Sequence, residues 1–262
     1  MPRPSRRPQT RSAVLAAVLA GLGLLAAACS SAAPAAATQP QPTSGTVLDR
    51  ALPAAVLSLP LVDQQGKVTS LASLHGKTVV LTDSLTLCQE ICPLTSTNFR
   101  VIDEAVAKAG LGNQVELLEV TVDPERDTPQ RLAAYQKLYG ARTNWNFLTG
   151  TPAQIATLWQ ILGVAYEKVP EGAGPPPTDW LTGKPLTYDV SHQDVVFVID
   201  GQGHERWLIT GTAFTNGVHP PSTLDNFLSD TGKANLATPA DISWRAEDVQ
   251  RAVAWLTGHP VG

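Results

Sequence analysis

Thr78-Val79-Val80-Leu81-Thr82-Asp83-Ser84-Leu85-Thr86-Leu87-Cys88-Gln89-Glu90-Ile91-Cys92-Pro93 is the stretch that decides the fold. Thr78–Thr82 is a short apolar, β-branched run of the kind buried inside a sheet. From Pro93 to about Ala109 the pattern is helical, with Leu94, Val101, Ile102, Ala105 and Val106 at apolar positions and a stop at Gly110. Two cysteines stand at the join of strand and helix. In open α/β sheets ligands bind outside the carboxyl ends of the strands, so the position itself points to a site.

Further along the chain, strands and helices alternate. Val115–Val122 reads as a strand ending at Asp123-Pro124. Pro129–Tyr139 reads as a helix capped by Thr128 and stopped by Gly140. Asn146–Leu148 is a short strand, and Pro152–Leu162 is a helix behind Thr151. Gly172–Gly183 is rich in Pro and Gly and reads as a surface insertion. Asp194–Asp200 and Glu205–Thr210 flank Gly201-Gln202-Gly203 as a hairpin. A short helix is expected over Leu224–Leu228, and a last one over Trp244–Leu256 with Ser243 as cap and Gly258 as stop. On the other side of the key stretch, Val56–Leu71 reads as strand, turn at Gly66 and strand. Together these predict a mixed α/β sheet of thioredoxin-like topology, with an N-terminal β-hairpin extension and an inserted hairpin or loop.

The N-terminus carries an address. Arg3, Arg6, Arg7 and Arg11 precede an uncharged stretch, Ala13–Ala28, of 16 residues. A membrane-spanning helix needs about 20, so residues 1–28 read as a cleavable export signal. Ser5-Arg6-Arg7 is a partial twin-arginine pattern, with Gln9 and Thr10 where apolar residues belong. Leu25-Ala26-Ala27-Ala28-Cys29 resembles the bacterial lipobox, Ala26 replacing the preferred Leu. That makes Cys29 the expected lipidation site and the extracytoplasmic face of the cell membrane the expected location. Residues 29–46, with neither large apolar side chains nor charge before Asp49, read as a flexible tether. Residues 47–262 form the expected folded domain.

A net charge of −4 leaves no basic footprint for nucleic acid. Of three cysteines, Cys88 and Cys92 remain once Cys29 is set aside, too few for a disulfide scaffold. Cysteines four apart in a helical or turn-like segment lie within about 5–6 Å. That separation suits a disulfide or a grip on one soft metal, Cu(I), Zn(II) or an Fe–S centre. A disulfide closing so small a ring would remove little unfolded-state entropy, and the helix N-terminus favours the thiolates. A two-sulfur site usually wants a third ligand. Among His75, His192, His204, His219 and His259, only His192 sits at the end of a loop directly before a buried strand, which makes it the leading candidate.

Three motifs occur in order: Cys88-x3-Cys92-Pro93-Leu94, then Val122-Asp123-Pro124-Glu125-Arg126-Asp127-Thr128-Pro129, then Tyr188-x3-His192 before Val195–Asp200. Over about Val56–Trp255 the chain resembles the Sco/SenC family. Its members are membrane-tethered, thioredoxin-like copper proteins that help assemble the dinuclear copper centre of cytochrome c oxidase subunit II. The resemblance implies one copper ion, Cu(I) and/or Cu(II), held by Cys88, Cys92 and His192. It implies a metallochaperone rather than an enzyme, with subunit II or another copper-accepting protein as partner, and the membrane reached through the lipid anchor. Asp123, Arg126 and Asp127 would orient the site, or else form a helix-capping turn locked by an Asp–Arg pair. The family usually has aromatic residues between its central strand and first Cys, where this chain has Asp83–Leu87. It also flanks its ligand His with Asp and Ser, where this chain has Ser191 and Gln193.

An extracytoplasmic thiol-disulfide oxidoreductase is the alternative, Cys88 and Cys92 being its redox pair and a thiol-disulfide reductant its further partner. The usual signature there is Cys-x2-Cys, and His192 has no necessary role in it. A thiol peroxidase would use a single reactive Cys with a nearby Thr and Arg. Thr86 has a plausible spacing, but the Cys92-Pro93 partner fits that chemistry worse.

Overall fold

All seven residues of Thr78–Ser84 are buried, and so are all seven of Val115–Thr121. Strands with no exposed face need cover on both sides, and the rest of the chain supplies it. The computed structural model describes residues 41–172 and 174–262. The predicted signal, Cys29 and most of the tether lie outside the described residues.

In chain order the elements are β1 (Thr46–Ala51), α1 (Ala54–Leu57), β2 (Leu61–Asp63), β3 (Val68–Thr69), β4 (Thr78–Ser84), α2 (Cys92–Lys108), β5 (Val115–Thr121) and α3 (Pro129–Tyr139). There follow β6 (Trp145–Thr149), α4 (Pro152–Leu162), β7 (Tyr166–Val169), β8 (Asp189–His192), β9 (Val195–Ile199) and β10 (His204–Thr210). The last are β11 (Thr212–Ala213), α5 (Asp230–Ala237), β12 (Ser243–Trp244) and α6 (Ala246–Thr257). An eight-stranded sheet runs β1-β10-β9-β4-β5-β6-β2-β3, with β4, β5 and β6 parallel and β9 antiparallel to β4. Helix α2 connects β4 to β5 and α3 connects β5 to β6, both stepping the same way across the sheet. Crossovers of one hand then place them on one face, where α2 packs between α3 and α6. This is the expected thioredoxin-like α/β sheet, extended by the β2–β3 hairpin and carrying the inserted β7–β8 hairpin.

Several local expectations change. Residues 54–57 form a helical turn, not a strand: Pro53 presets its start, and Val56 is its one buried side chain. The hairpin is therefore shorter, closed by the Asp63 carboxylate accepting from the Gln65 and Lys67 N–H groups at 2.9 Å each, with Gly66 at φ +80°. Strand β1 has no buried residue, so it shows no alternation in the sequence; its pairing with β10 makes it a strand. Residues 222–224 form only a short 3₁₀ turn, and the helix begins later, at Asp230 with Ser229 as cap. Ser243 belongs to β12, and Arg245 caps α6 in its place. Thr128 and Thr151 do cap α3 and α4, by accepting from Arg131 and Gln154, each such cap being worth about 1 kcal/mol.

The topology gathers three chain segments on one rim. Ser84 pairs with Thr121, so β4 and β5 end side by side. Thr82 pairs with Val196 across the antiparallel β4–β9 ladder, so β9 starts where β4 ends. His192, at the end of β8, and Asp194, just ahead of β9, therefore arrive beside the cysteines.

Candidate metal centre

The turn after β4 folds the two sulfurs together. The Cys88 N–H donates to the Leu85 carbonyl at 3.3 Å, and α2 begins at Cys92 itself, with Pro93 in its first turn. Cys92 N–H donates to Cys88 Sγ and Leu85 N–H to Cys92 Sγ, each at 3.4 Å. Both cysteines are buried and unbridged. The Cys92 thiol donates to Cys88 and, against the cost of burial and with help from His192, holds the Cys88 thiol well below its ordinary range. Burial and the neighbouring Cys88 charge push Cys92 well up. The two thiols titrate as a pair in which Cys88 ionises the more readily.

His192 completes the cluster. Its Nε2 lies 3.3 Å from Cys92 Sγ, and the ligand atoms of Cys88, Cys92 and His192 all lie within 4.8 Å of one another. Two sulfurs and an imidazole form a soft donor set suited to copper or zinc rather than to hard cations. Nδ1, on the far side of the ring, lies 2.5 Å from Asp83 Oδ2 and 2.7 Å from the Gln193 carbonyl. The other Asp83 oxygen accepts the Val195 N–H at 3.0 Å. Burial opposes charge on His192, but Asp83 and Cys88 outweigh it and hold the imidazole well above its ordinary range.

Asp83 is the residue that sequence reasoning missed. It stands where the family usually has an aromatic, and it looked only like a departure from the pattern. The signal was available: a carboxylate in a strand with every residue buried must find a partner. A second buried acid, Asp194, accepts from the Thr95 hydroxyl at 3.0 Å and is pushed well up by burial and by Asp83.

Asp123, Arg126 and Asp127 come to the same rim, yet no hydrogen bond joins them to either sulfur or to His192. Asp127 takes the Thr86 hydroxyl at 2.5 Å, the Thr121 hydroxyl at 2.7 Å and the Thr86 N–H, pinning the backbone two residues ahead of Cys88. Burial pushes its carboxyl up to about 6. Arg126 pairs with Asp123, donates to the Tyr188 carbonyl at 2.7 Å and stacks 3.7 Å from the centre of the Tyr188 ring, while the Tyr188 hydroxyl donates to Asp123 at 2.9 Å. This latch ties the β5–α3 loop to the segment leading into His192. The insertion adds a clamp: Trp180 Nε1 donates to the Thr86 carbonyl at 2.7 Å. Thr86 faces Asp127 rather than a sulfur, which removes it from peroxidase duty. Of the other histidines, His204 pairs with Asp49 at 2.8 Å and His259 bonds the Thr257 carbonyl, both away from the site.

A SCO1/SenC profile matches residues 54–216 of the chain. A Stutzerimonas stutzeri protein named "Putative copper-binding protein" is 31% identical over 180 residues, 68% of this chain and 79% of the relative. The mitochondrial SCO2 homolog of Bos taurus is 32% identical over 144 residues, 55% of this chain and 49% of the relative, so the chain spans about half of that longer protein. Among solved structures, a copper-bound ScoI of Bradyrhizobium japonicum aligns with a TM-score of 0.48 at 25% identity, over 64% of this chain and 94% of that one. With a profile matched across most of the folded region, the chain belongs to the SCO1/SenC family.

Proposed function

We propose that this protein is a copper chaperone. It binds one copper ion through Cys88, Cys92 and His192 and passes it to the dinuclear copper centre of cytochrome c oxidase subunit II. One observation carries the reading: two unbridged sulfurs and an imidazole converge within 4.8 Å, at a rim the sheet topology builds. The names of the Stutzerimonas and Bradyrhizobium relatives, both of which mention copper, support it. Each residue of this chain has a part. The Cys88 thiolate offers a ligand without losing a proton, Cys92 and Nε2 of His192 each release a proton on loading, and Asp83 turns that Nε2 toward the sulfurs. A lipid on Cys29 would hold the domain at the extracytoplasmic face of the membrane, within reach of a membrane-embedded acceptor.

The test is His192→Ala. Removing one of three ligands should weaken copper binding by about 10–100-fold or more, judged against the losses seen when mere supporting groups are removed. Disulfide reduction depends mainly on thiolate population and access and should change by no more than a few-fold. Copper affinity is read by titration against a competing chelator and reduction by an insulin-type assay, on both proteins. Unchanged affinity would overturn the three-ligand site.

The split between the sulfurs favours a second reading, a thiol-disulfide reductase. Cys88 held as thiolate would attack a partner disulfide and release one partner thiolate. Cys92 would then give up its proton to that thiolate and attack Cys88 Sγ, freeing the second partner sulfur and leaving a Cys88–Cys92 disulfide. Both uses fit one molecule, because a copper acceptor must be reduced before it can bind.

A further inference from the structure

The charges of the chain are unevenly placed. It has 19 Lys and Arg against 23 Asp and Glu, and four of those arginines, Arg3, Arg6, Arg7 and Arg11, precede every acidic residue. The folded domain is thus distinctly acidic. Two grooves among the described residues run against this trend, and the larger carries two cations. That groove has a volume of about 620 Å³ and lies between α2, α3, the insertion and the Pro221–Thr223 segment, and no acidic residue lines it. Arg100 and Lys137 contribute its charge, and among the described residues neither has a carboxylate ion-pair partner. Its apolar surface comes from Ala134, Leu138, Trp180 and Leu181, and Leu181 is 46% exposed, one of few large apolar side chains left so open.

The groove is mechanically joined to the metal centre. Trp180 lines it and, through Nε1, holds the Thr86 carbonyl two residues ahead of Cys88. A partner seated there would press on the residue that clamps the dithiol loop.

We infer that this groove is the docking site for the copper acceptor, and that it takes an acidic segment of that protein bearing an apolar or aromatic side chain. The occupant follows from charge complementarity. Two cations without carboxylate partners attract acidic groups and speed their encounter, while like-charged partners are rejected. An exposed Leu beside a Trp offers the apolar anchor that such interfaces centre on. The inference rests on the chaperone reading only in naming the occupant as a copper acceptor; the groove and its preference stand apart from the metal.

The experiment uses the folded domain with its tether. The probe is a fluorescein-labelled peptide of about ten residues built from Glu, Asp, Leu and Phe, and the control replaces each acid by Lys. Fluorescence anisotropy should show binding of the acidic probe that weakens as NaCl rises from about 50 to 200 mM. The R100E/K137E double variant should weaken it about tenfold or more, and Leu181→Ser by several-fold. The lysine probe should not bind. A Cys88→Ser/Cys92→Ser protein should bind the acidic probe as wild type does, and the groove variants should keep wild-type copper affinity. Failure of metal binding therefore reads separately from failure of docking. Absence of acidic-probe binding at low salt, equal binding of the lysine probe, or binding indifferent to R100E/K137E would each overturn the inference.

Discussion

Nδ1 of His192 lies 2.5 Å from Oδ2 of Asp83, although 109 residues separate them in the chain. Asp83 is the sixth residue of β4, and His192 ends the strand that leads into β9, the antiparallel neighbour of β4. The pair fixes the ring so that Nε2 faces Cys92, the arrangement in which a supporting carboxylate raises the basicity of a metal-binding imidazole.

Replacing that carboxylate should loosen the metal without touching a ligand. Asp83→Ala is expected to weaken copper binding by about 10–100-fold, and it also leaves the Val195 N–H without its acceptor. Asp83→Asn keeps an oxygen for that N–H but loses the charge, and should fall between wild type and Asp83→Ala. Chelator competition on the three proteins checks the order. Equal affinities would show that Asp83 serves the fold alone.

Oxidation should switch copper binding off. A disulfide sulfur has no thiolate charge to offer, so the reduced domain should bind one copper and the Cys88–Cys92 disulfide form none tightly. Metal analysis of both forms after desalting decides this; equal retention would mean that the sulfurs are not ligands.

Membrane attachment should depend on Cys29. Wild-type protein is expected in the membrane fraction with an acylated N-terminal cysteine. Cys29→Ala should lack the acyl group and be either secreted or retained through its uncleaved signal. Mass spectrometry of the mature N-terminus checks this directly.

Glu119 gives a pH signature within the fold. It lies in the middle of β5, accepts from Ser84 and Ser96 at 3.0 and 2.8 Å, and is pushed by burial from 4.5 up to about 8. Between those values the folded protein holds a proton that the unfolded chain has released. This contribution to stability therefore falls as pH rises from about 4.5 to 8, by up to about 1.4 kcal/mol per unit. Glu119→Gln, neutral throughout, should show a flatter stability profile across that window in denaturant melts at several pH values. Parallel profiles would refute the assignment.

Local pattern determined a good deal of this protein. The run Thr78–Thr82, the caps at Thr128 and Thr151, and the glycine stops at 140 and 258 encode their elements with neighbouring residues alone. The cysteines at a strand–helix join were likewise legible, because spacing along one segment fixes that they share a rim, and His192 stood out only by its place at a loop end before a buried strand. Tertiary structure decided what depends on partners distant in sequence. β1 exists because β10 pairs with it, and the β7–β8 hairpin because its strands meet across a 19-residue gap that carries no periodic signal. Asp83 is a support for His192 only because β9 runs antiparallel to β4, and Trp180 clamps the dithiol loop only because the insertion folds back over it. A sequence specifies the backbone preferences and burial of each segment directly. Which charge meets which imidazole is set by the register of strands that come together only when the whole sheet forms.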